Sequence, residues 1–226
     1  ATSQTQWEAI VDSCSKGEAT EECQKALESG SKGFAGYNVY NVYGTCYSQR
    51  PPPQNSRFGR FGGGVREIPP CLDAFAAVTY LNRVAVQDAL HVKHLKWDIC
   101  SDTLRYRTTV STVESEYRFL LSKGYKILVY NGDNDAACPY TGNDYFLRKI
   151  LGLNRSGPDW QAWTYTTDVG TQVGGHVTYY HDDLLTFTTV LGAGHMVPQY
   201  RPEAAYWMIT DWLRGTKLGQ NNGILS

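Results

Sequence analysis

The sequence predicts an α/β fold, and three observations carry that expectation. Residues 127–130 (ILVY) form a short apolar, β-rich run of the kind found in a strand buried in a parallel sheet, and a turn bearing two aspartates follows it. Residues 185–191 (LTFTTVL) are β-branched or aromatic and alternate as a strand does, then break at Gly192 and Gly194. Helical periodicity leads into the first run and follows the second. Helices alternating with strands are the pattern of a sheet covered by helices.

Taken in order, residues 7–30 read as helical, because Trp7, Ile10, Val11 and Cys14 recur at three and four and residues 18–27 continue the pattern. Residues 36–70 read mostly as loop. They carry prolines at 51 to 53, glycines at 62 to 64 and few large aliphatics, while Arg57, Arg60 and Arg66 make a protease-sensitive excursion conceivable beside the plainer reading of a solvated loop. Residues 72–81 and 84–90 turn helical again, with a break near His91. The clearest helix is 110–123, with Val113, Tyr117, Leu120 and Leu121 on one face and Gly124 as its stop. The strand at 126–130 follows, then a helix at 143–151. Residues 163–165 and 173–180 read as a hairpin, the strand through Leu191 finishes the sheet, and 201–213 form an amphipathic helix after Pro198. The division expected is a helical segment with a loop excursion over 1–70 and a sheet-bearing core over 71–226.

A chain of 226 residues, 42% hydrophobic, can build one core of ordinary size. Its net charge of −1 argues against a nucleic-acid or polybasic membrane role, and no apolar run approaches a membrane span of about 20 residues. The start, ATSQTQWEAI, lacks the apolar stretch of a signal peptide, so Ala1 reads as an internal start, made by processing or by design. Six cysteines, at 14, 23, 46, 71, 100 and 138, imply an oxidising compartment but not a connectivity. The sequon Asn154-Arg155-Ser156 is compatible with secretory transit and glycosylation.

The chemistry-bearing residues sit at the ends of the two strands. His195, in VLGAGHMVP, lies at a strand-to-loop junction, and Asp133 and Asp135 lie in the turn after residue 130. His195 alone reads as a loop histidine satisfied by backbone groups. A carboxylate after one strand and a histidine about 60 residues later after another follow the Asp-then-His order of an α/β-hydrolase. Spacing does not choose between Asp133 and Asp135. The other histidines, at 91, 94, 176 and 181, form no metal spacing, and no metal is expected.

The stretches ILVYNGDNDAACPYTGNDYFL and VLGAGHMVPQYRPEAAYWMITDWL resemble the serine carboxypeptidases, the family of cathepsin A and carboxypeptidase Y. GYNVYNVYGTC, PPCLDAFAAVTYLNRVAVQDALHV and WDICSD extend the resemblance from about residue 7 onward, although the family's nucleophile motif, Gly-x-Ser-x-Gly, occurs nowhere in the chain. The resemblance implies the C-terminal half of an α/β-hydrolase fold, with residues 1–70 belonging to a helical insertion domain that caps the site. It implies Asp135 as the triad aspartate, with Asp133 serving the turn, and His195 as the base. Met196 and Cys138 are implied to line the substrate pocket, and Cys138 to be unpaired, although a core methionine and a buried inert thiol are the plainer alternatives. Implied disulfides join Cys14 to Cys23 and Cys46 to Cys71, each worth roughly 3 kcal/mol by loop-closure entropy, and tie Cys100 to another chain.

The activity implied is removal of residues from the C-terminus of peptide substrates, by a lysosomal, vacuolar or secreted enzyme. The partner would be an N-terminal chain carrying the nucleophile serine, disulfide-linked, in units that could also pair as a homodimer. No cofactor is implied. An acyltransferase or a hydroxynitrile lyase would keep the same two residues, and a non-catalytic binding or protective subunit would need neither.

Overall fold

In the computed structural model, which describes residues 3–14, 20–31, 37–45, 71, 75–99, 105–107 and 109–220, the two strands expected to carry the site lie side by side. β1 (Ile127–Gly132) pairs in parallel with β4 (Leu185–Val190), Ile127 opposite Leu185 and Gly132 opposite Val190. β2 (Gln161–Thr167) and β3 (Gly170–Tyr180) form the hairpin, with a register shift between Trp163 and Thr164, and β3 runs antiparallel to β4. The sheet order is β1-β4-β3-β2. The last strand in the sequence therefore lies inside the sheet rather than at its edge, and all six of its residues are buried.

Side-chain alternation sends each strand to two cores. Tyr180, Leu185 and Phe187 face one side, where they meet Leu121, Leu147 and Leu151. Val177, Tyr179 and Val190 face the other, against Ala204, Ala205 and Met208. The first layer consists of α5 (Glu114–Ser122), α6 (Tyr140–Tyr145) and the π-helical turn Phe146–Ile150 that continues it. The second is α7 (Val197–Tyr200) with α8 (Pro202–Arg214). A sheet covered on both faces explains why β4 is apolar or hydroxylic throughout: Thr188, fully buried, donates its hydroxyl to the carbonyl of His176 at 2.9 Å.

Several boundaries differ from the sequence expectation. The helix expected at 110–123 begins only at Glu114, and of its proposed face Leu121 is buried and Tyr117 packs at the core edge, while Val113 and Leu120 are exposed. Residues 117 and 121 are four apart and share a face; Leu120 is turned about 100° away. The helix placed at 143–151 starts earlier, at Tyr140, directly after Pro139, whose fixed φ suits a helix entry. Residues 7–30 form two helices, α1 (Gln4–Cys14) and α2 (Glu21–Ser31), clipped by a Cys14–Cys23 disulfide, and Gln6 Nε2 donates to the carbonyl of Ser29 at 2.9 Å. Trp7 and Val11 are more than half exposed, so the apolar stripe of α1 faces outward in this chain. Two short helices, α3 (Phe75–Leu81) and α4 (Val84–Ala89), occupy the region read as helical after residue 71. The proline- and glycine-rich excursion with Arg57, Arg60 and Arg66 lies outside the described residues.

Candidate active site

Parallel pairing of β1 with β4 is what brings two distant motifs together. Both strands end at the same edge of the sheet, so the turn after Gly132 and the loop after Val190 emerge as neighbours. The loops are then laced to each other. The N–H groups of Asp133 and Asn134 donate to the carbonyls of Val190 (3.3 Å) and Ala193 (2.9 Å), and the N–H of Gly192 donates to Asp133 Oδ1 at 2.7 Å. The approach is so close that a Cβ at residue 132 would lie 2.3 Å from the carbonyl oxygens of Ala193 and Gly194.

Within this frame His195 Nδ1 stands 2.8 Å from Asp135 Oδ2, across 60 residues of sequence. Asp135 is buried and its second oxygen is occupied: Oδ1 accepts the backbone N–H groups of Ala137 (2.9 Å) and Cys138 (3.1 Å). The carboxylate is thereby fixed in rotation, leaving one oxygen aimed at the imidazole. An ionised acceptor at Nδ1 selects the tautomer with the proton there and leaves Nε2 as a lone-pair acceptor. The His195 side chain is 37% exposed and that of Asp135 only 3%, so a reacting group could reach the ring without reaching its anchor.

Asp133, the other carboxylate of the turn, does not meet His195. Burial pushes its carboxyl above the usual range, opposed by the N–H of Gly192, its own N–H and the charges of Arg201 and His176. Cys138 is a free, exposed thiol three residues after Asp135, and partial burial and the Asp135 charge push its pKa up, which keeps it a thiol rather than a thiolate at neutral pH. Asp135, Cys138 and His195 together place one carboxylate oxygen, one sulfur and one imidazole nitrogen within 4.8 Å of one another, a grouping that no spacing in the sequence announced. Met196 is half-buried at the start of α7, its carbonyl accepting from Gln199 (2.9 Å) and Tyr200 (3.2 Å). Asn154 is exposed on the loop before β2. Cys71 is disulfide-bonded, while the cysteines at 46 and 100 lie outside the described residues.

The sequence reading missed one contributor, the segment 37–45. It has no regular secondary structure, as a loop should, yet it bridges both motif loops. The carbonyl of Tyr40 accepts the His195 N–H at 2.7 Å, Val39 accepts from Ala136 (2.9 Å) and Ala137 (3.0 Å), and Val42 donates to Asn134 at 3.0 Å. The Tyr40 ring stands edge-on to the imidazole, centroids 5.1 Å apart. Asn38 and Asn41, both buried, shape the strap by accepting from the N–H two residues on, at 3.0 and 3.3 Å. The repeated Asn in YNVYNVYG was the available signal: Asn closes such turns with its own side chain.

Comparison with known proteins places the chain by family and by fold. The sequence pattern of the serine carboxypeptidase family matches residues 1–215. The lysosomal protective protein of Mus musculus is 37% identical over 163 residues, 68% of this chain and 33% of that protein. Serine carboxypeptidase-like 25 of Arabidopsis thaliana is 39% identical over 155 residues, 66% of this chain and 31% of its own length. Among solved structures, a prohormone-processing carboxypeptidase from Saccharomyces cerevisiae shares the fold with a TM-score of 0.56 at 20% identity, over 96% of this chain and 47% of that one. The matches thus span about a third of the curated relatives' length, and about half of the solved chain.

Proposed function

The chain belongs to the serine carboxypeptidase family, and from that premise we propose that it supplies the Asp and His of a Ser-Asp-His triad that removes residues from the C-terminus of peptides. The observation that carries this reading is the His195 Nδ1 to Asp135 Oδ2 contact of 2.8 Å, with the second carboxylate oxygen tied to two backbone N–H groups. In such a triad Nε2 takes the proton of a serine hydroxyl as the hydroxyl attacks the scissile carbonyl, then returns it to the leaving amine, while Asp135 holds the tautomer and stabilises the imidazolium. Met196 and Cys138, beside the base, would contact the substrate.

The nucleophile is assigned to a partner chain, N-terminal in the intact enzyme and disulfide-linked through Cys100. Two features support a partner. β1 pairs only with β4 among the described residues, leaving its other edge open, and Tyr125, just before the strand, and Tyr130, on it, are exposed. Large apolar residues are also exposed on α1 and around α4, among them Trp7, Val11, Val84 and Leu90. The Cys14–Cys23 bridge fits passage through the secretory pathway to a lysosome, vacuole or the exterior, where an exposed Asn154 could carry glycan.

The test is release of C-terminal residues from a peptide by the assembled protein, wild type against His195→Ala. Release that collapses in the variant supports the proposal. Activity that survives would make the chain a non-catalytic subunit, and ester synthesis in place of hydrolysis would make the enzyme an acyltransferase.

A further inference from the structure

The donor atoms of Asp135, Cys138 and His195 lie within 4.8 Å of one another, and a carboxylate, a thiol and an imidazole are the three ligand types that zinc takes. We propose that these three side chains form a binding site for a divalent transition metal of zinc's class, and that its occupancy disables the base at His195. The binding half stands on geometry alone; the inhibitory half rests on the hydrolase reading above.

Zinc binds such ligands at about 2.0–2.3 Å, which puts tetrahedral donors roughly 3.3–3.8 Å apart. The His195 Nδ1 to Asp135 Oδ2 separation of 2.8 Å must open slightly to admit the ion while the sulfur closes in, and the exposed Cys138 and the 37% exposed His195 side chain have solvent-side room to adjust. Asp135 is the fixed point. Its Oδ1 is held by the N–H groups of Ala137 and Cys138, so Oδ2, which the His195 ring faces at 2.8 Å, is the oxygen a metal would take in place of that hydrogen bond, and the Oδ1 contacts anchor the backbone that carries the Cys138 sulfur. Exposure of two ligands leaves the fourth position to water. The sulfur and nitrogen donors select against magnesium and calcium, which prefer all-oxygen shells.

Binding is a ligand exchange with no change of oxidation state. The Cys138 thiol gives its proton to solvent and its sulfur donates to the metal, while one imidazole nitrogen donates its lone pair. If that nitrogen is Nδ1, the ring proton moves to Nε2; if it is Nε2, the lone pair there is consumed. In both cases the ring has no lone pair left for a serine proton. Inhibition is therefore reversible by a chelator and requires no covalent damage to the thiol.

Cobalt(II) makes the site visible, because a thiolate bound to cobalt gives a charge-transfer band in the near ultraviolet that zinc does not. The intact protein, with every chain that co-purifies, is titrated with cobalt(II). The expected band saturates at one metal per copy of this chain, is displaced by zinc and vanishes in Cys138→Ala. In His195→Ala the affinity falls by about tenfold or more. His94→Ala is the control, because His94 and Asp88 form an exposed pair at 2.6 Å with no thiol in the grouping, and it leaves the band unchanged. No band in the wild type, or a band of full affinity in His195→Ala, overturns the site. Peptide release should fall in step with zinc occupancy and return with chelator; full occupancy without inhibition overturns the inhibitory half. Absence of peptide release before any metal is added would count against the hydrolase reading alone, since the cobalt band does not depend on turnover.

Discussion

Asp133 and Asp135 sit two residues apart on one turn and face different tasks, which makes them separable by substitution. Asp135→Asn replaces the acceptor at His195 Nδ1 with a group that also donates, favouring the wrong tautomer; the rate of the assembled enzyme should fall by about 10⁴ with the unfolding midpoint nearly unchanged. Asp133→Asn should leave the rate nearly unchanged, because the amide oxygen still accepts the Gly192 N–H, whereas Asp133→Ala leaves that donor unpaired at about 1–3 kcal/mol of stability. Asp133 also predicts a pH signature. Burial holds the Asp133 carboxyl above its unfolded value, so its protonated form favours the fold: that contribution is present below the unfolded pKa and is lost as pH rises through the folded one. Urea midpoints measured across the acidic range should therefore show Asp133→Asn gaining on the wild type as pH rises, and parallel curves would refute the buried-carboxyl account.

At the scale of elements, the site depends on how closely three loops approach. A Cβ at Gly194 would lie 2.1 Å from the Tyr40 carbonyl oxygen and 2.8 Å from Asn41 Cβ, so Gly194→Ala must push the strap from the His195 loop. We expect a loss of roughly 1–3 kcal/mol in a denaturant melt together with a fall in kcat, because the loop displaced carries the base. Phe187→Ala, in fully buried β4, tests the opposite case: roughly 3–5 kcal/mol should be lost from the core, with kcat per folded molecule largely retained. If Gly194→Ala proved silent in both readouts, the strap would not be holding the loop.

For the whole molecule, the partner assignment predicts where a label goes. No Gly-x-Ser-x-Gly occurs in the 226 residues, so an organophosphorus serine reagent should modify a partner chain and leave this one untouched; mass spectrometry of the separated chains reads the outcome, and stoichiometric label here would end the two-chain proposal. Non-reducing peptide maps should likewise link Cys100 to a foreign peptide, and a Cys100 to Cys138 peptide would refute that tether. What the sequence determined by itself was local: the apolar runs that become β1 and β4, the glycine-marked loop at His195, the aspartate turn, the amphipathic helix expected at 201–213 and the family pattern that singled out Asp135. Only the tertiary structure decided that β4 lies beside β1, that the motif loops are laced by Gly192 and Asn134, that Val113 and Leu120 point away from the core, and that Cys138 joins Asp135 and His195 in one cluster. Periodicity and turn chemistry act over a few residues and are written in the neighbours, whereas strand order and loop-to-loop hydrogen bonds join residues some 60 apart, and they form only when the two faces of the sheet are buried together.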